Sequence, residues 1–325
     1  MSRAIGTLRG RPWVAAGLVA ALAVAVAALA LALGRGAGEP HASSTAQAAV
    51  TVPAAPLAPL ANTSRFDGAR AFALLREQVR DYGWRPAGSA ALRKLAVRLR
   101  GLMPNGAFEA IPGHPGLRNV VGTVPARSPA IVVGAHYDVE ATPEGFVGAN
   151  DGAAGTAAVL TLARAFAKAK RPRGARALRF VLFDGEEEPA GCTPFESCGI
   201  RGSRAYAKRH AAATKALVLL DYIAEKHGLS IVREGGSNAA LWSRLRAAAG
   251  DVGVGEIFPG GVPSIQVIDD HTPFTQRGVP AIDVIDFDYP QRDSLDDDLD
   301  AVSQRSLDAV GEAVHLLVAR LRRSG

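Results

Sequence analysis

Three apolar runs of the chain each end in side chains that can bind a divalent metal ion. These side chains belong to His136 and Asp138, to Glu186 and Glu187, and to Asp221. In an open α/β sheet, ligands bind in the crevice beyond the carboxyl ends of the strands. Because all five side chains stand at predicted strand ends, they indicate one site at that edge of a sheet.

A metal centre that activates water needs nitrogen and oxygen donors and an open coordination position. It also needs a carboxylate that does not bind the metal and can accept the proton of the water. Asp151 adds a carboxylate at the start of a helix predicted at 151–168. We predict Glu186 as the base and Asp138 as the acceptor of the second imidazole N–H. The predicted metal ligands are His136, Asp151, Glu187 and Asp221.

Each position also has a structural interpretation. Asp151 can simply cap the N-terminus of a helix, and a lone histidine such as His136 can simply form hydrogen bonds. Glu186 and Glu187 can belong to a solvated acidic turn, and their spacing alone does not say which one is the base. Asp221 is the hardest to explain in this way, because it follows five apolar residues and a buried carboxylate needs a partner. Together, at one edge, these residues favour the metal site.

The composition of the chain does not favour a nucleic-acid-binding protein. Apolar residues make up 48% of the 325 residues, which is enough for a large core. Lys and Arg number 37 against 31 Asp and Glu, but the arginines are scattered and aromatic residues are only 6%. A nucleic-acid surface needs a clustered basic stripe. We therefore expect no nucleic-acid partner.

The N-terminal segment predicts that most of the chain lies outside the cytoplasm. Residues 13–33 carry no charge and match the ~20 residues that a membrane-spanning helix needs. Arginines within 1–12 place that segment in the cytoplasm by the positive-inside rule. We predict a signal anchor at 13–33 that holds the protein on the cell membrane. The alternative is a cleaved signal peptide, and the protein would then be secreted.

Residues 34–64 are rich in Ala, Pro, Ser and Thr and have no helical or strand periodicity, so we predict a disordered linker there. One domain is predicted at 65–325. Within it, apolar runs alternate with helical patterns, which is typical of a mostly parallel sheet covered by helices on both faces. The predicted strands lie at 106–111, 117–124, 130–136, 176–183, 215–222, near 263–268 and at 279–287.

Two cysteines, Cys192 and Cys198, lie close together in the sequence GCTPFESCG. In an oxidising compartment they can close a short disulfide loop. The alternative is two unpaired thiols in an irregular loop. Because the N-terminal segment indicates export, we predict the disulfide.

Six short motifs, in this order, resemble the M28 family of zinc aminopeptidases. The motifs are GAHYD at 134–138, GANDG at 148–152, FDGEE at 183–187, GSR at 202–204, LLD at 219–221 and DHTPF at 270–274. The resemblance extends from about Phe66 to the end of the chain. It implies a three-layer α/β sandwich in which helices flank a mostly parallel, mixed sheet, as in zinc exopeptidases.

The resemblance also implies a site for two zinc ions in which Asp151 bridges the metals. It implies that Glu186 is the general base and that Asp270 and His271 support the ligands or contact the substrate. The ligands that it implies are His136, Asp151, Glu187 and Asp221. The expected substrate is a peptide.

One part of the chain departs from the family pattern. Members usually carry a His-Thr pair ahead of an Asp-Thr-Leu-Asp segment, and that histidine completes the metal site. Here QRDSL at 291–295 precedes DDLDAVS at 297–303, so Asp293 stands where the histidine is expected. A carboxylate oxygen binds zinc at about 2.0–2.2 Å, much as an imidazole nitrogen does. We predict Asp293 as the fifth ligand; the alternative is a solvated loop that leaves one metal position weak or empty.

The leading hypothesis is a zinc-dependent aminopeptidase that hydrolyses N-terminal residues of peptides outside the cytoplasm, with Glu186 as general base. The alternative is a glutaminyl cyclase, because FVGA at 146–149 and the doublet of acidic residues at 269–270 resemble the animal-type enzymes. Those enzymes share the fold, hold one zinc ion and cyclise N-terminal glutamine. A third hypothesis is a catalytically impaired binding module, which the substitution at Asp293 motivates and the retention of Glu186 opposes.

Overall fold

The computed structural model describes residues 55–323. The predictions for 1–12, for 13–33 and for the first part of the linker lie outside these residues. Within the described range, no helix is both long enough and apolar enough to cross a membrane.

Helices and strands alternate along most of the described chain. The helices are α1 (Gly68–Glu77), α2 (Ala90–Leu102), α3 (Gly155–Lys168), α4 (Phe195–Cys198), α5 (Arg201–His210), α6 (Ala239–Asp251), α7 (Thr272–Thr275) and α8 (Gln304–Arg323). The strands are β1 (Ala107–Ala110), β2 (Arg118–Val124), β3 (Arg127–His136), β4 (Arg176–Phe183), β5 (Thr214–Asp221) and β6 (Ala281–Ile285).

The strands form one mixed sheet in the order β1-β2-β4-β3-β5-β6. Strand β2 is antiparallel to β1 and to β4. The pairs β3–β4, β3–β5 and β5–β6 are parallel. The carboxyl ends of β3, β4 and β5 therefore meet at one edge of the sheet, as the predicted mostly parallel topology requires.

The two faces of the sheet are buried against different helices. Ile131 and Val133 of β3 belong to the larger core, which also contains buried residues of α1, α2, α3, α6 and α8. Val132 points to the opposite face and shares a second core with Tyr206 of α5 and Phe274 of α7. Successive side chains of a strand point to opposite faces, so both faces of β3 are apolar. This arrangement confirms the predicted three-layer α/β sandwich.

Helix α3 begins four residues later than the sequence pattern predicts. Asp151 (φ −82°, ψ 105°) and Gly152 (φ 80°) are not helical, and α3 starts at Gly155. A Cβ atom at Gly155 would lie 2.2 Å from the carbonyl oxygen of Leu220. Only glycine allows this close approach, which holds the segment carrying Asp151 over the end of β5.

The prediction of a strand near 263–268 is wrong. This described segment is an irregular loop, in which Ser264 N–H donates to the carbonyl of Arg233 and Gly235 N–H donates to the carbonyl of Ile265. Its apolar side chains are divided between solvent and a pocket, because Ile265 is 68% exposed and Val267 lines the pocket described below. An apolar segment that lines a pocket can therefore have the same composition as a buried strand.

The described end of the predicted linker, residues 55–64, forms no helix or strand but contacts the domain. Gly228 N–H donates to the carbonyl of Pro56, and Asn62 N–H donates to the carbonyl of Val252. The Thr63 hydroxyl donates to Glu312 at 2.6 Å. These contacts differ from the prediction of a disordered segment up to residue 64. The composition of the segment did not indicate them, because the partner residues are distant in the chain.

Candidate functional site

His136 and Asp221 lie at the carboxyl ends of two neighbouring strands. His136 is the last residue of β3 and Asp221 is the last residue of β5, and both are buried. Nε2 of His136 lies 3.0 Å from Oδ1 of Asp151 and 3.3 Å from Oδ1 of Asp221. These three residues offer donor atoms that all lie within 4.8 Å of one another. Two of the predicted carboxylate ligands therefore approach one nitrogen of the third predicted ligand, His136.

The loop before α3 directs Asp151 into the site. The backbone N–H groups of Asn150 and Asp151 donate to the two carboxylate oxygens of Asp297, at 2.8 and 3.0 Å. A Cβ atom at Gly152 would lie 2.6 Å from the carbonyl oxygen of Asp138, so this turn requires glycine. The N-cap of α3 is Ala154. The capping interpretation of Asp151 is therefore wrong.

Asp138 holds the backbone of both glutamates that follow β4. Its Oδ1 accepts the N–H of Glu186 and its Oδ2 accepts the N–H of Glu187, both at 3.2 Å. Nδ1 of His136 lies 4.0 Å from Oε2 of Glu186 and 3.8 Å from Oδ1 of Asp138. The latter distance is beyond that of a hydrogen bond, so Asp138 positions the glutamates rather than the imidazole. His136, Glu186 and Glu187 form a second group of donor atoms within 4.8 Å.

A bound cation would stabilise the buried acidic groups of the site. Burial raises the pKa of Glu186 and of Glu187 well above the ordinary value, and it raises the pKa of Asp221 to about 7. Burial lowers the pKa of His136, but the charge of Asp221 and contacts with other carboxylates raise it overall. Nδ1 of His136 has no hydrogen-bond partner among the described residues. A divalent ion would neutralise these carboxylates, and imidazole nitrogen with carboxylate oxygen is a donor set that fits zinc.

Asp293, the predicted fifth ligand, lies at the rim. Its side chain is 52% exposed, and its Oδ2 lies 3.3 Å from Nε of Arg292. Its Oδ1 lies 3.4 Å from the hydroxyl of Tyr222. No donor group found within 55–323 includes Asp293. The ligand role of Asp293 therefore stays a prediction, and this arrangement does not support it.

The turn before α7 contributes Asp269 to the pocket. Asp269 lines the pocket wall, whereas Asp270 and His271 do not. Asp270 and His271 are both buried. Their positions do not support direct contact with substrate, so support of the ligands is the predicted role that stays open for them. His271 lies 3.3 Å from Glu234.

Sequence reasoning missed two residues that support Asp151. The hydroxyl of Tyr222 donates to Oδ2 of Asp151 at 2.8 Å. Arg85 is fully buried and donates to the backbone carbonyls of 147–148, just before the Asp151 loop. Tyr222 could have been found because it directly follows Asp221, but no local pattern around Arg85 indicates its role.

A pocket of about 440 Å³ opens over these groups. The disulfide between Cys192 and Cys198, present as predicted, closes the loop that carries Phe195 into the pocket wall. Acidic and apolar side chains share the walls, so the pocket can receive a molecule with a positive group beside an apolar one. The lining includes Glu140, Glu188, Phe195, Ile268, Phe287 and Arg292.

The chain is similar in sequence and in fold to known enzymes. The glutaminyl-peptide cyclotransferase of Boiga dendrophila is 26% identical over 284 residues, covering 73% of this chain and 76% of the relative. The crystal structure of a glutaminyl cyclase from an Acidobacteriales bacterium superposes with a TM-score of 0.69 at 26% identity, covering 83% of this chain and 100% of the other. A Zn-dependent exopeptidase from Parabacteroides distasonis has a TM-score of 0.68 at 21% identity, covering 80% and 99%, and supports the fold alone.

The family model described as "Peptidase family M28" matches residues 119–318. This range covers more than half of the chain and contains the sheet edge with His136, Asp151, Glu186 and Asp221. The mixed sheet with helices on both faces agrees with the same assignment. The chain therefore belongs to peptidase family M28.

Proposed function

We propose that this M28 member is a zinc-dependent enzyme that acts on the N-terminal residue of peptides, and that its reaction is the cyclisation of N-terminal glutamine. The observation that carries this choice is the position of Asp293, half-exposed and outside the donor groups around His136. The remaining donors suit one zinc ion. Cyclisation needs only one, because the nucleophile is the amine of the substrate. The similarity to glutaminyl-peptide cyclotransferases along 73% of the chain supports the same choice.

His136, Asp151 and Asp221 would hold the zinc ion, with Glu187 beside them. Bound zinc supplies a Lewis acid that polarises a carbonyl group. In the cyclisation, the α-amine nitrogen forms a bond to the γ-carboxamide carbon, and the bond from that carbon to the amide nitrogen breaks, which releases ammonia. Glu186 accepts the proton from the amine and transfers it to the departing nitrogen.

The pocket walls fit an N-terminal residue. Glu188 lines the pocket wall, where its carboxylate would attract a terminal ammonium group. Glu140 lines the same wall, and burial raises its pKa to about 8. The apolar side chains of Phe195 and Phe287 offer contact to the methylene groups of a glutamine side chain. An α-amino group has a pKa of about 7.7–8.0 and must be neutral to attack, so cyclisation should accelerate as pH rises towards 8.

Hydrolysis by an aminopeptidase is the second candidate function. The acidic wall would bind the ammonium group of any N-terminal residue, and Glu186 can accept a proton from water as well as from an amine. The two reactions share the site but differ in their products. A peptide substrate is expected in both cases.

One experiment separates the hypotheses. The purified full-length protein, loaded with zinc, is given a peptide with N-terminal glutamine and, separately, an amino-acid anilide. We expect ammonia and a pyroglutamyl peptide by mass spectrometry, and no release of the free amine. Release from the anilide without pyroglutamate would establish the aminopeptidase, and absence of bound zinc would favour the binding module. Glu186→Gln should abolish product formation, whereas Glu256→Gln, at an exposed position, should not.

The location outside the cytoplasm is part of the same proposal. The disulfide between Cys192 and Cys198 supports it, because such bonds persist in oxidising compartments. Protease treatment of intact cells should degrade the domain, and alkaline extraction should leave it with the membrane if 13–33 is retained. Recovery in the cytosolic fraction, protected from protease, would contradict the proposal.

A further inference from the structure

A second cluster of buried metal-binding side chains adjoins the His136 groups, with Asp269 on the wall of the same pocket, but shares no residue with them. Asp283 stands in the middle of β6, and Asp269 and His271 lie in the turn before α7. Their exposures are 0%, 4% and 1%. Donor atoms of the three residues all lie within 4.8 Å of one another. The cluster thus joins two segments that are distant along the chain.

The imidazole of His271 lies beside the buried carboxylate of Glu234. Its Nε2 lies 3.3 Å from Oε1 of Glu234. The other oxygen of Glu234 accepts the N–H groups of Gly236 at 2.6 Å and of Val267 at 3.3 Å. Oε1 of Glu234 receives no hydrogen bond within the described chain, so a proton on Nε2 of His271 would pair with it and leave the lone pair of Nδ1 free. Histidines that bind metals commonly present the other ring N–H to a carboxylate in this manner.

Nδ1 of His271 faces Asp283. It lies 3.5 Å from Oδ2 of Asp283 and has no hydrogen-bond partner within the described chain. Two ligands of a tetrahedral zinc ion, each bound at about 2.0–2.1 Å, are separated by about 3.3–3.4 Å. The observed 3.5 Å is close to this separation, so a small adjustment of the two side chains would let both bind one metal ion.

The two aspartates have unmatched oxygens. No described residue donates a hydrogen bond to either carboxylate oxygen of Asp283 or to Oδ2 of Asp269. Leaving a buried carboxylate without a donor is strongly unfavourable. The positive charge of a protonated His271 would neutralise one aspartate and leave the other aspartate without a counter-charge. One divalent ion would balance both charges and would give one oxygen of each aspartate a partner.

We propose that Asp269, His271 through Nδ1, and Asp283 bind a divalent transition-metal ion such as Zn²⁺, with Glu234 orienting the imidazole. The site is structural: it links β6 to the turn before α7. Because Asp269 also lines the pocket, the ion holds one wall of the substrate site in place. This inference does not depend on which reaction the His136 site performs.

The test measures metal content rather than activity. In the full-length protein, His136→Ala with Asp221→Asn removes donors of the first site. After chelation and reloading with Zn²⁺, this variant should retain about one zinc ion per chain by mass spectrometry. Adding Asp283→Asn should remove that ion, whereas Asp286→Asn should not, because this neighbouring buried carboxylate accepts from Ser230 and lies outside the cluster. A zinc-free double variant, or zinc retained with Asp283→Asn, would overturn the proposal.

Two further measurements guard against misfolded variants. In the double variant, Zn²⁺ at hundredfold excess over its dissociation constant should raise the melting temperature by about 5 °C, and no shift would contradict the site. X-ray absorption of the bound zinc should show one imidazole ligand, which His271→Gln removes. A spectrum with oxygen ligands only in the double variant would also overturn the assignment. Circular dichroism checks that each variant is folded.

Discussion

The hydroxyl group of Tyr222 donates a hydrogen bond of 2.8 Å to Oδ2 of Asp151. Oδ1 of the same carboxylate lies 3.0 Å from Nε2 of His136. Tyr222 thereby binds the oxygen of this proposed metal ligand that does not approach His136, and so orients the carboxylate. Tyr222 adopts φ 46° directly after β5, a left-handed conformation that is uncommon for residues other than glycine.

Replacement of Tyr222 by phenylalanine should weaken zinc binding. Loss of a partner that orients a metal ligand typically reduces metal affinity by about 10–100-fold, and we expect a decrease in that range. A competition titration with a chromophoric chelator measures it. Tyr206→Phe, which alters a tyrosine in the core on the other face of the sheet, should leave the affinity unchanged. An equal effect of both substitutions would argue against an orienting role for Tyr222.

The two adjacent glutamates should respond differently to the loss of charge. Glu186→Gln should lower kcat by about 10²–10⁴-fold, the contribution of a general base, and leave the zinc content unchanged. Glu187→Gln should lower the zinc affinity itself. Steady-state kinetics and metal analysis on the same preparations distinguish the two. If Glu186→Gln loses zinc and Glu187→Gln keeps it, the two roles must be exchanged.

Asp293 should contribute little to metal binding. Its side chain is half-exposed and lies beside Arg292, so Asp293→Asn should change the zinc affinity by no more than about threefold, the scale of an exposed ion pair. Isothermal titration calorimetry with zinc measures the change, and Asp296→Asn provides the exposed control in the same loop. A tenfold or greater loss for Asp293→Asn alone would restore Asp293 as the fifth ligand.

The pair of Glu225 and Asp286 should make stability depend on pH. Burial, with the hydrogen bond and charge of Asp286, raises the pKa of Glu225 from 4.5 to about 8. A carboxyl group with a raised pKa in the folded state contributes stability that is complete below the unfolded pKa and is lost as pH rises through the folded pKa. The free energy of unfolding should therefore fall between about pH 4.5 and about pH 8.

Urea unfolding across this range measures the effect. Glu225→Gln should remove part of the fall, because glutamine does not titrate, whereas Glu256→Gln, at an exposed position, should leave it intact. An unchanged pH profile in Glu225→Gln would show that other groups cause the dependence.

Local sequence patterns predicted the parts of the site that follow strands. An apolar run of strand length identifies a buried parallel strand, and the residue that ends it must lie at the sheet edge. His136 and Asp221 were placed in this way, and the structure brings them within 3.3 Å of each other. The prediction of a strand near 263–268 was wrong, because apolar composition alone does not distinguish a strand from a pocket wall.

The sequence alone determined the three-layer sandwich and the edge of the sheet where its polar residues gather, because strand periodicity and strand-end positions are local properties of a chain. Only the tertiary structure decided which donors converge. It directed Asp151 at His136 through the carboxylate of Asp297, left Asp293 at the rim, and brought His271 to Asp283. These contacts join residues far apart in the chain, and their distances follow from how loops pack on the sheet, which no local pattern records.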